Sequence, residues 1–270
     1  MNNISADINF IIKQKEKPYY DSSAITGLIP KLYFKVEKKN ICIFNARNLT
    51  NLSIDRNGFE LHRFENKYDT NNIQNNLDSF KKDLKTFLKR KICYKEIFLF
   101  DVTRRSNKKE GAFNSEGRRP PADRAHVDYT TKSGPIRAKN IIGEKYFYSL
   151  LEKKRRIIQL NVWKPLCDIV LSSPLAFVDS RTILNRDLIA TEQRFPDRIG
   201  EIYHLAYNKK QDWFWVPEMT KTEVLFLKGW DSSSSKKIVK FTPHTSFDLP
   251  KQNKNKYPRE SIEVRIFLVI

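Results

Sequence analysis

The chain has 270 residues, 40% of them apolar and 12% aromatic, which is enough for a packed core and argues against an intrinsically disordered chain. Fifty Lys and Arg residues against 31 Asp and Glu give a net charge of +19, which raises nucleic acid or an anionic membrane surface as partners. No apolar run approaches the roughly 20 residues that cross a bilayer, so no membrane span is expected.

The positive charge is dispersed along the chain. Most Lys and Arg residues stand beside predicted turns or on the polar faces of predicted helices. Two interpretations therefore remain open: a solvated surface with a Lys/Asn-rich composition, and a surface that binds polyanions.

The cysteines and the N-terminal residues bear on the compartment. Cys42, Cys93 and Cys167 are far apart and odd in number, so they form neither a disulfide framework nor a zinc-type pair. Residues 1–20 are polar and lack the apolar segment of a secretory signal. We therefore expect a cytoplasmic protein.

Two helices are predicted along the chain. The first covers residues 73–90, whose apolar residues recur at the spacing of one helix face. These residues are Ile73, Leu77, Phe80, Leu84, Phe87 and Leu88. The second runs from about residue 135 to 154, with Ile142, Tyr146 and Leu150 facing inward.

Most of the remaining chain is predicted to form strands, because β-branched and aromatic runs alternate with turn residues. The predicted strands are residues 31–36, 41–46, 94–103, 157–163, 174–179, 201–207, 212–216, 223–230 and 261–270. Residues 104–123 form a long polar loop, a length that is typical of a functional or mobile segment. The pattern predicts one α+β, mainly β domain over residues 1–270, a sandwich or jelly-roll barrel with helices outside it.

The first candidate for chemistry is the string His126-Val127-Asp128, which follows the long loop. Residues i and i+2 of a strand project to the same face, so the imidazole and the carboxylate can approach one metal ion together. Two His and one carboxylate form the facial triad of non-haem Fe(II) oxygenases. A His-x-Asp string alone is common by chance, so a third ligand is needed.

His244 supplies that third ligand, and a charged strand follows it. Arg259, Ser261, Glu263 and Arg265 share one face of the predicted terminal strand. Such a row normally faces solvent. An Arg with a Ser two residues later can instead bind a carboxylate, as the distal end of 2-oxoglutarate requires. Arg259 and Ser261 are thus assigned to 2-oxoglutarate, and Arg265 is either a second clamp or a partner of Glu263.

These strings, in this order, resemble one family. They include Arg119-Pro120-Pro121, His126 through Thr130, Asn161-Val162-Trp163, Pro243-His244-Thr245 and Arg259 through Arg265. The sequence is similar to the AsaB hydroxylase/desaturase-like (CmcJ-like) family of Fe(II)/2-oxoglutarate-dependent oxygenases over roughly residues 55–270. Lys164 stands where the family usually has Arg, Ser246 stands where it usually has Ala, and the first 50 residues, taken as an N-terminal extension, match little.

The resemblance implies a double-stranded β-helix fold that uses Fe(II), 2-oxoglutarate and O2 to hydroxylate or desaturate a small molecule, as in specialised metabolism. Succinate and CO2 would be released. Candidate substrate contacts are Arg119, Tyr129, Asn161, Trp163 and His204. The arginines at 104, 105, 118 and 119, in a loop that leads into the metal ligands, could meet an anionic substrate.

Other functions remain open at this stage. The net charge keeps an Fe(II)/2-oxoglutarate enzyme that acts on nucleic acid as a second hypothesis, less favoured than the first. A non-catalytic accessory subunit of the same fold is the third. The sequence also leaves open a homodimer or a heterodimer.

Overall fold

A computed structural model gives the fold. It describes residues 3–27, 29–65, 75–109, 111–114, 117–250, 252–253 and 255–270, without the side chains of residues 117 and 118. In these parts of the chain no helix is long and apolar enough to cross a membrane.

Strands dominate the described chain. In chain order the elements are β1 (Ile4–Ile11), β2 (Tyr19–Asp21), α1 (Ser23–Thr26), β3 (Lys31–Leu32), β4 (Val36–Asn45), β5 (Phe59–Arg63), α2 (Leu77–Lys91), β6 (Glu96–Ser106), β7 (Ala112–Asn114), β8 (Gly117–Arg119), β9 (His126–Val127), α3 (Ser133–Ile142), α4 (Glu144–Glu152), β10 (Ile157–Pro165), β11 (Leu175–Val178), β12 (Leu188–Arg194), β13 (Ile199–Leu205), β14 (Trp213–Trp215), β15 (Glu223–Asp231), β16 (His244–Ser246) and β17 (Glu260–Val269).

Two sheets carry the fold. The larger has ten described strands in the order β1-β4-β14-β11-β16-β9-β13-β12-β2-β3, and the smaller has the order β5-β15-β10-β17-β6. Aromatic and aliphatic side chains of both sheets meet in one cluster, in which Phe59 and Leu227 of the smaller sheet pack with Phe177 of the larger. The prediction of a mainly β fold with flanking helices is confirmed.

Strand alternation decides which residues of β17 face the space between the sheets. Ile262, Val264 and Ile266 pack against Phe80 and Leu84 of α2 on the outer side of the smaller sheet. Since successive side chains of a strand alternate, Ser261, Glu263 and Arg265 point to the opposite, inner side. The predicted charged row is therefore turned into the protein and away from solvent.

The helices differ from the prediction at two points. Residues 135–154 form two helices and not one, because Gly143 adopts a φ of +90°, a conformation that ends α3 and that residues with a Cβ rarely take. The helix predicted over residues 73–90 is α2, which begins at Leu77; residues 73 and 74 lie outside the described part of the chain.

The first fifty residues and the long loop also contain strands that sequence patterns did not indicate. β1 and β2 were not predicted, whereas β4 contains residues 41–45 of the strand predicted at 41–46. All three belong to the ten-stranded sheet, and β1 pairs with β4 over the full length of β1. Of the strand predicted at 31–36, Lys31–Leu32 form β3 and Val36 begins β4. The segment predicted as loop 104–123 contains the end of β6 and the hairpin β7–β8.

A buried group of charged side chains links β15 to Arg156, the residue before β10. Asp231 and Lys228 are both fully buried, and the Lys228 Nζ lies 2.7 Å from Asp231 Oδ2 and 2.8 Å from Asp55 Oδ1. The Arg156 guanidinium also bonds both carboxylates. Hydrogen bonds to Arg156 lower the pKa of the Asp55 carboxyl to about 2, so Asp55 is ionised at neutral pH.

We predict that Asp231→Ala destabilises the protein by about 3 kcal/mol, because Lys228 and Arg156 then lose a buried partner. The matched control is Asp168→Ala, which removes an exposed Asp paired with Lys221 at 2.6 Å. An exposed ion pair of this kind contributes less than about 1 kcal/mol to the free energy of unfolding. Urea unfolding of both variants measures the difference, and equal costs would contradict the structural role of the buried cluster.

Candidate active site

Two imidazoles lie side by side in the ten-stranded sheet. His126 on β9 is the cross-strand partner of His244 on β16, and their ring centroids are 4.7 Å apart. The sequence separates these residues by more than a hundred positions, and the β9–β16 pairing brings them together.

Both rings are held by backbone carbonyls. The Nδ1 of His126 lies 2.7 Å from the carbonyl oxygen of Arg124, and the Nδ1 of His244 lies 3.0 Å from that of Thr242. Because a carbonyl oxygen can only accept, each Nδ1 carries a hydrogen, and Nε2 is the nitrogen that carries the lone pair in the neutral form of each ring. Burial lowers the pKa of His126 to about 3, so that ring is neutral, the form that binds metals.

The Asp128 carboxylate lies next to the first imidazole. Its Oδ1 is 3.8 Å from the His126 Nε2. Its Oδ2 accepts hydrogen bonds from Asn161 Nδ2 at 2.6 Å and from Arg265 Nε at 3.0 Å. Burial raises the pKa of the Asp128 carboxyl, but the charge of Arg265 and of its other neighbours outweighs burial, and the pKa ends below its usual range. The carboxylate is ionised.

These three side chains fit an Fe(II) site in the chemistry of their donors, because two imidazoles and one carboxylate form the facial set. In the described residues, however, no three His, Cys, Asp or Glu side chains already form a group that could hold a metal ion as they stand. The carboxylate is turned toward Arg265 and Asn161, so binding of a metal requires it to turn toward the imidazoles.

Arg265 is occupied by carboxylates on several sides. Besides Asp128, its guanidinium lies 2.6 Å from Asp101 Oδ2 and 2.6 Å from Glu263 Oε1. Pairing with Glu263 was one of the two roles open for this residue, and the contact is present. The other role, in binding 2-oxoglutarate, stays a prediction.

Arg259 has the opposite surroundings. It is 1% exposed, its Nη1 donates to the carbonyl oxygen of Ser173, and its Nε has no partner in the described chain. Burial, followed by the positive charge of Arg105, lowers the pKa of the Arg259 guanidinium to about 9. Its guanidinium carbon lies 5.7 Å from the Trp163 ring centroid. Arg259 is thus a buried cation that has no carboxylate partner among the described residues.

Arg105 lies close to this cation. Its Cα is the cross-strand partner of that of Ser261, which is itself buried and stands two residues after Arg259. The Arg105 Nη1 donates to the carbonyl oxygen of Pro120, and burial lowers the pKa of its guanidinium to about 10. The half-buried Arg105 and the buried Ser261 and Arg259 therefore form a region of positive charge beside the metal-ligand candidates.

A cavity of about 640 Å³ opens onto this site. His126, Asp128 and Arg265 line it, as do three of the predicted substrate contacts, namely Arg119, Tyr129 and His204. Asn161 and Trp163 are not among its lining residues; Asn161 holds the Asp128 carboxylate and Trp163 is buried between the sheets. The side chain of Arg118 lies outside the described part of the chain.

His204 extends the row of imidazoles. It is the cross-strand partner of His126 on the side away from His244, and its ring contacts those of Tyr20 and Phe34. Burial, and then the charge of Arg124, lowers the pKa of His204 well below its ordinary value. Its Nδ1 is buried and has no hydrogen-bond partner among the described residues.

Sequence patterns missed two parts of the site. Asp101, which bonds Arg265, lies in a predicted strand where Asp101, Thr103 and Arg105 alternate, and that spacing could have identified an inner polar face. The second part is the cavity wall formed by α3, whose Ser133, Ile136, Arg137 and Asn140 have the spacing of one helix face.

Comparisons with known proteins identify the family of the chain. A family model described as "Oxidoreductase/YMDC permease-like domain" matches residues 8–269. The hydroxylase/desaturase asaB of Aspergillus flavus is 32% identical over 126 residues, which are 42% of this chain and 55% of that protein. The Fe(II)/2-oxoglutarate-dependent dioxygenase nvfI of Aspergillus novofumigatus is 32% identical over 167 residues, which are 60% and 56% of the two. The matches thus span about half the length of these relatives.

A solved structure extends the likeness to the whole fold. The iron and alpha-ketoglutarate-dependent endoperoxidase NvfI superposes with a TM-score of 0.83 at 22% identity, covering 99% of this chain and 98% of that one. At this identity the likeness shows the fold alone, and the predicted double-stranded β-helix is confirmed. The family to which the chain belongs is shown by the family model, which matches nearly the whole chain. The chain belongs to the AsaB-like hydroxylase/desaturase family of Fe(II)/2-oxoglutarate-dependent oxygenases.

Proposed function

We propose that this protein is a cytoplasmic Fe(II)/2-oxoglutarate-dependent oxygenase that hydroxylates or desaturates a small molecule of specialised metabolism. The observation that carries the proposal is the orientation of His126 and His244. Both Nδ1 atoms are bound to backbone carbonyls, so both Nε2 lone pairs are free, beside an ionised Asp128 at the wall of the cavity. The names of the fungal relatives favour the same reaction class.

The Fe(II) site would consist of His126, Asp128 and His244. When bound, Fe(II) with 2-oxoglutarate and O2 supplies the oxidising chemistry, and succinate and CO2 are released. The chain keeps the ligands ready: the two carbonyl contacts fix the imidazoles, while Asn161 and Arg265 keep Asp128 ionised. Three carboxylates surround the single Arg265 charge, and this excess of negative charge favours a divalent cation.

The co-substrate would place its distal carboxylate at Arg259. A buried guanidinium without a carboxylate has lost hydration and gained no ion pair, and a bound carboxylate restores that interaction. Ser261 lies on the same strand face, and Arg105 flanks it from β6. The positive charges of Arg105 and Arg259 repel each other, and an anion bound between them would offset that repulsion.

The remaining cavity would receive the substrate, with Arg119, Tyr129 and His204 on its walls. Tyr129 and His204 are screened from bulk water, and burial raises the pKa of the Tyr129 hydroxyl, which stays protonated as a hydrogen-bond donor. Excluding water protects a reactive site from side reactions.

We predict that His126→Ala and His244→Ala each abolish the visible absorption band that Fe(II) and 2-oxoglutarate produce together in anaerobic titrations of the wild-type protein. Each substitution removes one of the two imidazole donors. The control is His62→Ala, because His62 bonds Glu60 on β5 and does not line the cavity. A wild-type protein that gives no band, or a His126→Ala variant that keeps it, would refute the proposed metal site.

We predict that Arg259→Met weakens 2-oxoglutarate binding by about 10- to 100-fold, the equivalent of one lost hydrogen-bonded charge pair. Binding of 2-oxopentanoate, which has the same chain length but no distal carboxylate, should be unchanged. Titration of the absorption band with each 2-oxo acid measures both affinities.

The matched control is Arg265→Met, which removes an arginine from the same strand face. Because Arg265 holds Asp128, this variant should weaken Fe(II) binding with either 2-oxo acid. If Arg259→Met weakened the binding of 2-oxoglutarate and of 2-oxopentanoate equally, the assignment of Arg259 would be contradicted. The metal site is tested separately by the histidine variants.

A further inference from the structure

Three exposed isoleucines line the cavity, and we call them the isoleucine rim. Ile29 is 74% exposed, Ile199 is 67% exposed and Ile136 is 46% exposed, and all three line the cavity. They come from three separate segments: the connection from α1 to β3, the first residue of β13, and α3. Single exposed apolar residues are ordinary, but three that line one cavity mark a binding surface for an apolar molecule.

The charged groups of the cavity wall are not balanced. Its carboxylates are paired within the protein: Asp101 with Arg265 at 2.6 Å, Glu201 with Lys17 at 2.7 Å and Asp123 with Arg124 at 3.3 Å. Glu192 pairs with Lys17 and Arg194, and Asp128 pairs with Arg265.

Besides Arg105, which is assigned above to the co-substrate, two cations of the wall have no such partner among the described residues. Lys132 and Arg137 line the cavity and form no ion pair with a carboxylate in the described parts of the chain. The Arg137 guanidinium lies 5.2 Å from the Phe100 ring centroid, which holds it at the wall without neutralising its charge.

Helical spacing joins these two features. One face of α3 carries Ser133, Ile136, Arg137 and Asn140. Arg137, one of the two cations without an ion pair, therefore lies directly beside Ile136 of the isoleucine rim. One ligand can therefore contact both, if it has an acid group next to an apolar body.

We propose that the substrate is an apolar organic acid, whose acid group binds Arg137 and whose hydrocarbon body lies along the isoleucine rim. The proposal rests on the proposed oxygenase function and specifies its substrate class. An acid gives the Arg137 guanidinium the charge-assisted partner that the protein does not provide. A neutral apolar molecule would leave Arg137 unpaired, and a polar acid would leave the isoleucines in water.

The acid group is tested with two fluorescent probes that share an apolar body. 8-Anilinonaphthalene-1-sulfonate carries one acid group, whereas N-phenyl-1-naphthylamine carries none. Arg137→Gln should weaken binding of the sulfonate about tenfold and leave the neutral probe unchanged, and that unchanged binding also shows that the variant is folded. Arg90→Gln, at an exposed position of α2, is the charge control and should change neither affinity.

The isoleucine rim is tested with the same probes. Ile136→Ser combined with Ile199→Ser should weaken both probes about tenfold, because both lose apolar contact. Ile12→Ser is the matched control, since Ile12 is 38% exposed and does not line the cavity. Unchanged sulfonate binding in Arg137→Gln, or unchanged binding of both probes in the double variant, would overturn the proposal.

Two further measurements separate the alternatives. If the double variant loses binding to phosphatidylcholine/phosphatidylglycerol vesicles but keeps both probes, the rim contacts a lipid surface and the substrate proposal fails. The Fe(II)–2-oxoglutarate absorption band should persist in Arg137→Gln, in the Ile136→Ser/Ile199→Ser double variant and in their two controls. Its absence from the wild-type protein would refute the oxygenase function instead, whatever the probes show.

Discussion

The ion pair between Asp128 and Arg265 connects the two sheets at the site. Asp128 directly follows β9 of the ten-stranded sheet, and Arg265 belongs to β17 of the smaller one. An ionised carboxylate is costly to bury, and this cost is met only by a close opposite charge with good hydrogen bonds. Arg265 and Asn161 provide them. Asp128, a ligand of the proposed metal site, is therefore ionised because the two sheets lie close enough for Arg265 and Asn161 to reach it.

The charges on β17 divide the site into two regions. Around Arg265, three carboxylates outnumber one guanidinium, so the region near His126 attracts a cation. At the other end, the buried Arg259 and the half-buried Arg105 have no carboxylate partner among the described residues, so that region attracts an anion. A ligand with one end at a metal and a distal carboxylate matches both regions. The order of charges along one strand thus orients the co-substrate proposed for the site.

Part of this site was predictable from local sequence patterns, because strand alternation repeats every two residues. The shared face of Arg259, Ser261, Glu263 and Arg265 follows from that period, and the structure turns this face inward as α2 covers the other. Local patterns do not encode which strands pair. The contact of His126 with both His244 and His204 depends on pairings between distant segments, as does the bond from Asp101 to Arg265. The break at Gly143 was visible in the sequence, but the apolar periodicity on both sides of it outweighed that signal.

The cavity walls come from parts of the chain that differ in their likeness to the family. The metal-ligand candidates and the β17 arginines lie in the segments whose strings resemble it. Tyr20 and Ile29, in contrast, come from the first fifty residues, in which none of those strings occurs although the family model matches from residue 8 onward, and they line the same cavity. Those residues are held in place because β2 pairs with β12 in the ten-stranded sheet, so the segment is part of the fold. The family's strings can therefore predict the metal-ligand candidates but not the shape of the cavity, since Ile29, Ile136 and Ile199 lie outside them.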